Sequence, residues 1–240
     1  MERLDKILSS QGICSRKEAK SLAGKQKIKV NNEIVRKCDI KVDPKSDIIE
    51  VDGRMVKYNK YVYIMMNKPK GVVSASTDKR EKTVIDLLPA DLKRNNLFPA
   101  GRLDKDTTGL LIITDDGDFA HKMLSPKNKV YKLYEAELDG ELTDSQKDVL
   151  EGGIEMSDGT VFKPARISFP SSDDKTRVHI EICEGKFHQV KRMFAFVGRT
   201  VVQLKRLRIG ELLLDERLGE GGCKFLTDFE LAVIFNRENN

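Results

Sequence analysis

Residues 101–114 read G-R-L-D-K-D-T-T-G-L-L-I-I-T. Gly101 and Gly109 bracket an arginine, two carboxylates and two hydroxyls, and an apolar run follows at once. Glycine at either end admits backbone angles that side-chained residues resist, so the segment is expected to bend sharply and then enter a strand. Such a bend can hold Arg102 and Asp104 against a ligand. A polar turn would account for a lone Asp-Gly, but nine residues with this order of charge, hydroxyl and glycine are more specific than that.

Around this segment the chain alternates irregularly between strand-like and helical stretches. Strands are expected at 61–66, 72–73, 110–113, 133–138, 177–182 and 201–204, and helices at 118–124 and 188–197. The run at 61–66 ends in N-K-P-K-G, where proline removes a donor and glycine relaxes the backbone, so a turn is expected there. Thr227 and Glu230 frame an apolar C-terminal helix as a capping box. The irregular order favours an α+β fold with a mixed, mainly antiparallel sheet over a doubly wound α/β fold.

The 240 residues suit one small and one larger domain. Hydrophobic residues make up 39% and charged residues 34%, enough for a core beneath a highly charged surface. Charged residues interrupt the first ten positions and no run of eighteen apolar residues occurs, so no signal peptide or membrane span is expected, and the cytoplasm is the default location. Cys14, Cys38, Cys183 and Cys223 form no C-x-x-C pair and show no zinc-type spacing with His121, His179 or His188; reduced thiols and no metal site are expected.

The net charge of +5 is unevenly spread. Positions 1–60 hold fifteen Lys and Arg against nine Asp and Glu, whereas the remainder is nearly balanced. A small module that binds a polyanion, joined to a body with another task, would produce this asymmetry. Within it, Leu4, Ile7 and Leu8 share a helical face that Gly12 can end, and Ser15 with Glu18 forms a capping box opening a second helix that stops at Gly24. Turn-favouring Asn31-Asn32 and Asp52-Gly53 then punctuate a small antiparallel sheet. Arg16, Lys17 and Lys20 on the second helix are suited to phosphate contacts that position a nucleic acid without reading its sequence, and Lys25, Lys27 and Lys29 extend the set.

With R-L-D-K at 3–6, S-R-K-E-A at 15–19, V-N-N at 30–32 and D-I-I-E-V-D-G at 47–53, this module resembles the small αL RNA-binding domain named after the fourth small-subunit ribosomal protein. A basic RNA-binding domain over 1–56, a linker over 57–60 and a catalytic domain over 61–240 are expected. In the larger part, the 101–114 segment, K-L-Y at 132–134, G-K-F-H-Q-V-K-R-M-F at 185–194 and L-K-R-L-R-I-G-E-L at 204–212 resemble, in order, the motifs of the RsuA type of ribosomal RNA pseudouridine synthase. N-K-P-K-G, T-V-I-D-L-L-P at 83–89 and H-K-M-L-S-P-K at 121–127 fit the same family.

The resemblance implies that Asp104 is the catalytic aspartate, Tyr134 the active-site tyrosine and Lys191 the cation paired with the aspartate. Arg102 would contact RNA and help hold the target uridine out of the stack. The stretch 186–208 holds seven basic residues and no acidic one, with Phe187, Phe194 and Phe196 interleaved, a run that a solvated face explains poorly, and from it Lys186, Arg192 and Arg206 are expected as further RNA contacts. L-S-P-K at 124–127 points to the small-subunit members and to uridine 516 of 16S rRNA in the usual rRNA numbering; the alternatives are 23S rRNA as substrate or a non-catalytic ribosome-assembly factor. The partner would be ribosomal RNA within a subunit-assembly intermediate, with no membrane contact, and the chain a monomer. Isomerising uridine transfers no group and changes no oxidation state, so no cofactor and no metal are expected. A carboxylate must act in its ionised form, which a neighbouring cation favours, and the base must be extruded to be reached. Sequence does not choose among attack at ribose C1′, addition at uracil C6 and removal of a ribose proton. Asp104 to Thr108 also fits the D-x-D-x-T pattern of magnesium-dependent aspartyl-phosphate phosphatases, but that pattern needs its strand before the first aspartate, and here the strand comes after.

Overall fold

The computed structural model describes residues 1–236 and divides into two compact units, 1–62 together with 90–97, and 63–89 together with 98 onward. Residues 57–60, expected to link two domains, and the segment 90–97 both fall in the first unit. The reason is backbone satisfaction: Arg94 donates to the carbonyls of Asn59 and Lys60 at 3.0 Å each, and Gln11 exchanges hydrogen bonds with the backbone of Asn59.

In the first unit, helix α1 (Leu4–Ser10) and helix α2 (Arg16–Gly24) pack on a small sheet of 28–30, 33–34, 49–51 and 54–55. Leu4, Ile7 and Leu8 are fully buried with Ala19, Ile28, Ile49 and Val51; side chains of this size contribute roughly 1.5–3 kcal/mol each on burial. The expected capping box is present, with Ser15 Oγ accepting from the Glu18 amide and Glu18 accepting from the Ser15 amide. Asn31 and Asn32 take φ of 52° and 66° in the first hairpin, and Asp52 and Gly53 take 51° and 78° in the second. Two consecutive left-handed residues give the turn whose twist suits a two-residue hairpin.

The second unit is built on one nine-stranded sheet. Its path uses β1 (Tyr63–Lys68), β2 (Thr108–Thr114), β3 (Lys132–Leu138), β4 (Arg166–Ser168), β5 (Arg177–Ile182), β6 (Val201–Ile209) and β7 (Cys223–Phe225) in the spatial order β4-β5-β3-β6-β2-β1-β7. The short segments Phe98–Pro99 and Leu212–Leu213 pair alongside β2 and β6. Every ladder is antiparallel except β6 against β2, so the sheet is mixed and mainly antiparallel as expected. Helix α3 (Gly117–Leu124) starts from Asp116, which caps it by accepting from the amides of Asp118 and Phe119. Helices α4 (Asp144–Gly152), α5 (Gln189–Phe196) and α6 (Asp228–Val233) complete the unit, and α6 carries the expected Thr227–Glu230 capping box.

Two sequence expectations fail locally. Val72 and Val73 form no strand: they follow directly on the left-handed Gly71, and Val73 makes only an isolated bridge to Thr83. Conversely, β6 continues five residues past 204, because K-R-L-R-I stays paired with β3 across a register shift, with Arg206 and Ile209 buried. No helix among the described residues is long and apolar enough to cross a membrane.

Candidate active site

Asp104 lies in the bend between two left-handed glycines, Gly101 at φ 94° and Gly109 at φ 99°. Gly109 is required for a second reason: a Cβ there would sit 2.3 Å from the Arg206 carbonyl oxygen, across the parallel ladder between β2 and β6. The bend is fixed from both sides. Ser74 Oγ donates to the Leu103 carbonyl at 2.9 Å and accepts from the Leu103 amide at 3.1 Å, while the Thr107 amide closes the turn onto the Asp104 carbonyl at 3.1 Å.

Beneath it lies Lys68, the last residue of β1 and fully buried. Its ammonium donates to the carbonyls of Pro69, Lys105 and Thr107 at 3.1, 3.3 and 2.9 Å, which uses all three of its N–H donors. Burial pushes its pKa down to about 8, with Asp106 and Asp104 opposing the shift. The ammonium therefore ties the backbone on the far side of Asp104 to the end of β1. Sequence reading treated N-K-P-K-G as a turn and missed this, because a lysine is exposed by default.

The Asp104 side chain keeps 28% of its surface exposed, and an ammonium and an imidazole face it. Lys191, on the first turns of α5, places Nζ 3.4 Å from Oδ2, and His188 places Nε2 3.5 Å from Oδ1. Lys191 sits closer to a second carboxylate, donating to Asp106 Oδ1 at 2.6 Å and holding Asp106 below the usual carboxylate range. One ammonium thus serves both carboxylates of the motif and faces Asp104 without a tight hydrogen bond that would occupy its oxygen.

Tyr134 is buried on β3, directly opposite Arg206 of β6. Arg206 donates through Nε to the Leu110 carbonyl at 2.7 Å and through Nη1 to the Tyr134 hydroxyl at 3.4 Å. At 4% exposure Arg206 is out of reach of any RNA, which corrects its place among the expected contacts; it braces the tyrosine against the strand that follows Asp104.

The remaining expected residues divide. Arg102, Asp104, Tyr134, Lys186, His188 and Lys191 line one small cleft of about 70 Å³. Arg102 is exposed there and makes no hydrogen bond or ion pair with any described residue. Lys186 reaches the Val161 carbonyl and lies 3.6 Å from Glu184, so its charge is partly spent. Arg192 does not line the cleft: it pairs with Asp158 at 2.6 Å and covers the Phe162 ring. The basic run 186–208 does have compensating carboxylates, but Asp104, Asp106, Asp158, Glu181, Glu184 and Glu211 supply them from outside it.

In the first unit, Arg16, Lys17 and Lys20 line one groove with Arg3 and Asp5. Arg3 neutralises the buried Asp5 through two hydrogen bonds of 3.0 and 2.8 Å. Arg16, Lys17 and Lys20 are left exposed, with no hydrogen bond or ion pair among the described residues. Lys27 and Lys29 are instead paired with Asp52 and Glu50.

Residues 62–196 match the RNA pseudouridylate synthase family, and residues 2–49 match the S4 domain. A Bacillus subtilis protein described as an uncharacterized RNA pseudouridine synthase is 42% identical over 97% of this chain and 98% of its own length. Ribosomal small subunit pseudouridine synthase A of Vibrio cholerae is 39% identical over 97% and 99%, and ribosomal large subunit pseudouridine synthase B of Bacillus subtilis 38% identical over 98% and 96%. A crystal structure of a pseudouridylate synthase superposes with a TM-score of 0.67 at 33% identity, covering 98% of this chain and all of that one. With its motif aspartate, tyrosine and lysine gathered in one cleft and 97% of its length matched by a relative, the chain belongs to the RNA pseudouridylate synthase family and carries an S4 domain over residues 2–49.

Proposed function

We propose that this chain isomerises one uridine of ribosomal RNA to pseudouridine, with Asp104 as the reacting carboxylate and uridine 516 of 16S rRNA as the target. The observation that carries the reading is the convergence of Asp104, Tyr134 and Lys191, distant in sequence, on one cleft. In the reaction the N1–C1′ bond breaks, the uracil turns, C5 bonds to C1′, and the hydrogen on C5 leaves as a proton while N1 gains one. Atoms and electrons balance without an oxidant, a reductant or a carrier.

Each group then has a task that its surroundings suit. Asp104, beside Lys191 and fixed by Ser74 and Lys68, is the carboxylate that opens the glycosidic bond. Tyr134, held by Arg206, forms the wall against which the uracil packs as it turns. Arg102, exposed and unpaired, fills the place of the extruded base. Arg16, Lys17 and Lys20 hold the RNA backbone in the first unit's groove. The chain works as a monomer in the cytoplasm on RNA of a subunit-assembly intermediate.

Support for the small subunit comes from L-S-P-K at 124–127; against it stands the near-equal identity to a large-subunit synthase. Mapping pseudouridines in both rRNAs from cells with and without this protein separates the readings. Loss of pseudouridine at position 516 of 16S rRNA is expected. Loss at a 23S site alone would move the substrate to the large subunit and leave the reaction in place, and unaltered rRNA of both kinds would remove ribosomal RNA as the substrate.

A further inference from the structure

We propose that Phe187 and His188 form an aromatic platform on which the nucleobase flanking the target uridine stacks; the assignment rests on the RNA substrate proposed above. Phe187 is 75% exposed, one of the most exposed large apolar side chains among the described residues. It is not isolated, since its ring lies flat on the His188 imidazole with centroids 3.8 Å apart and planes 17° from parallel. The pair sits in the turn that opens α5, and His188 itself lines the cleft that holds Asp104.

The backbone at this turn is unusual. His188 takes φ 48° and ψ 31°, a left-handed conformation that residues with side chains seldom adopt, and its side chain gives α5 no cap. The conformation leaves the His188 carbonyl to accept from the Arg192 amide at 2.9 Å. It coincides with the imidazole edge facing Asp104, at 3.5 Å, while one imidazole face meets Phe187. Residues held in sparsely populated conformations concentrate where a site dictates geometry.

The occupant follows from the chemistry around the rings. Lys186 and Arg102 line the same cleft, so cationic groups suited to phosphates accompany a flat, exposed aromatic face. That combination, a basic path with an aromatic ring, takes unstacked bases of a single strand and tolerates any base, because every base has a π face. Extruding the target uridine uncovers one face of each flanking base; Arg102 in the vacated place covers one, and the platform covers the other.

The test compares full-length wild type, Phe187→Ala and Phe187→Trp on rRNA isolated from cells lacking the protein. Binding is measured across a salt series and turnover by release of tritium from uridine labelled at C5. Phe187→Ala is expected to weaken binding about tenfold with the salt slope unchanged, because stacking displaces no counterions. Phe187→Trp should restore wild-type binding. An unchanged melting temperature is expected in both variants, since the exposed ring supports no core. Wild-type affinity in Phe187→Ala, failure of Trp to rescue, or a changed salt slope would overturn the platform. Wild type that releases no tritium from either rRNA would instead overturn the substrate reading on which the platform rests.

Discussion

The two units hold their functional side chains in opposite ways. In the first, Arg16, Lys17 and Lys20 stand on one exposed face of α2 with no described partner, so each cation is free to follow a phosphate. In the second, Asp104 is surrounded: Lys191 and His188 face its oxygens, and Ser74 and Lys68 fix the backbone on either side of it. On the function proposed above, the contrast teaches that binding charge is interchangeable and additive, whereas a reacting carboxylate depends on the groups that hold it in place. Single losses in the first unit should therefore be small and graded, and single losses around Asp104 should be large.

The strongest challenge to this contrast is Lys68→Met. It leaves three buried carbonyls without their shared donor and frees the turn behind Asp104. Steady-state kinetics on rRNA are expected to show kcat reduced by about a hundredfold, the size of effect a misplacement of about 1 Å produces, with KM within about threefold of wild type. A loss confined to KM would mean that Lys68 supports binding and not the reacting group.

A smaller effect is expected at Lys132, on β3 two residues before Tyr134. It is 4% exposed and has no hydrogen bond or ion pair among the described residues; burial, assisted by Arg206, pushes its pKa down to about 8. The unfolded chain, with its lysine near the ordinary 10.5, binds more protons than the folded one between those values. The cost of burying the ammonium is thus complete below pH 8 and disappears as pH rises toward 10.5. Lys132→Met should raise unfolding stability at pH 7 by about 2 kcal/mol. It should also flatten the rise of stability between pH 8 and 10, leaving the part that Lys68 contributes. Denaturant unfolding at pH 7, 8.5 and 10 checks both outcomes.

The smallest effect belongs to the first unit. Lys17→Ala should weaken rRNA binding roughly threefold and reduce the salt slope by about one, with kcat unchanged, as the loss of one phosphate contact requires. A fall in kcat would show that the groove on the first unit does more than hold the RNA.

What could be read in advance followed the same division. Local signals carried well: the Ser15–Glu18 capping box, the Asn31-Asn32 turn, and β3, whose strict alternation of buried and half-buried positions is a pattern of period two. The glycine bracket around Asp104 was legible because a close backbone approach leaves room for no other residue. Long-range pairing was not. Lys68 and Arg206 look like surface cations in sequence, and only carbonyls contributed by other segments make their burial possible. The carboxylates that neutralise the basic run 186–208 lie outside it, so its free charge was overestimated. His188 passed unnoticed because its role depends on a left-handed backbone that its residue type does not announce. The return of 90–97 to the first unit rests on contacts made by Arg94 and Asn95 that no periodicity foreshadows.

The central claim is that the Asp104 carboxylate performs the chemistry while other groups only bind and position. Its most direct test is product formation by purified Asp104→Asn on rRNA from cells lacking the protein, with RNA affinity measured on the same sample. Asparagine keeps the shape and removes the charge. The expected result is rRNA binding within about twofold of wild type and pseudouridine formation reduced by more than about a thousandfold, in the range seen when a reacting group is lost. Pseudouridine formed by the variant at a rate near that of wild type would contradict the account.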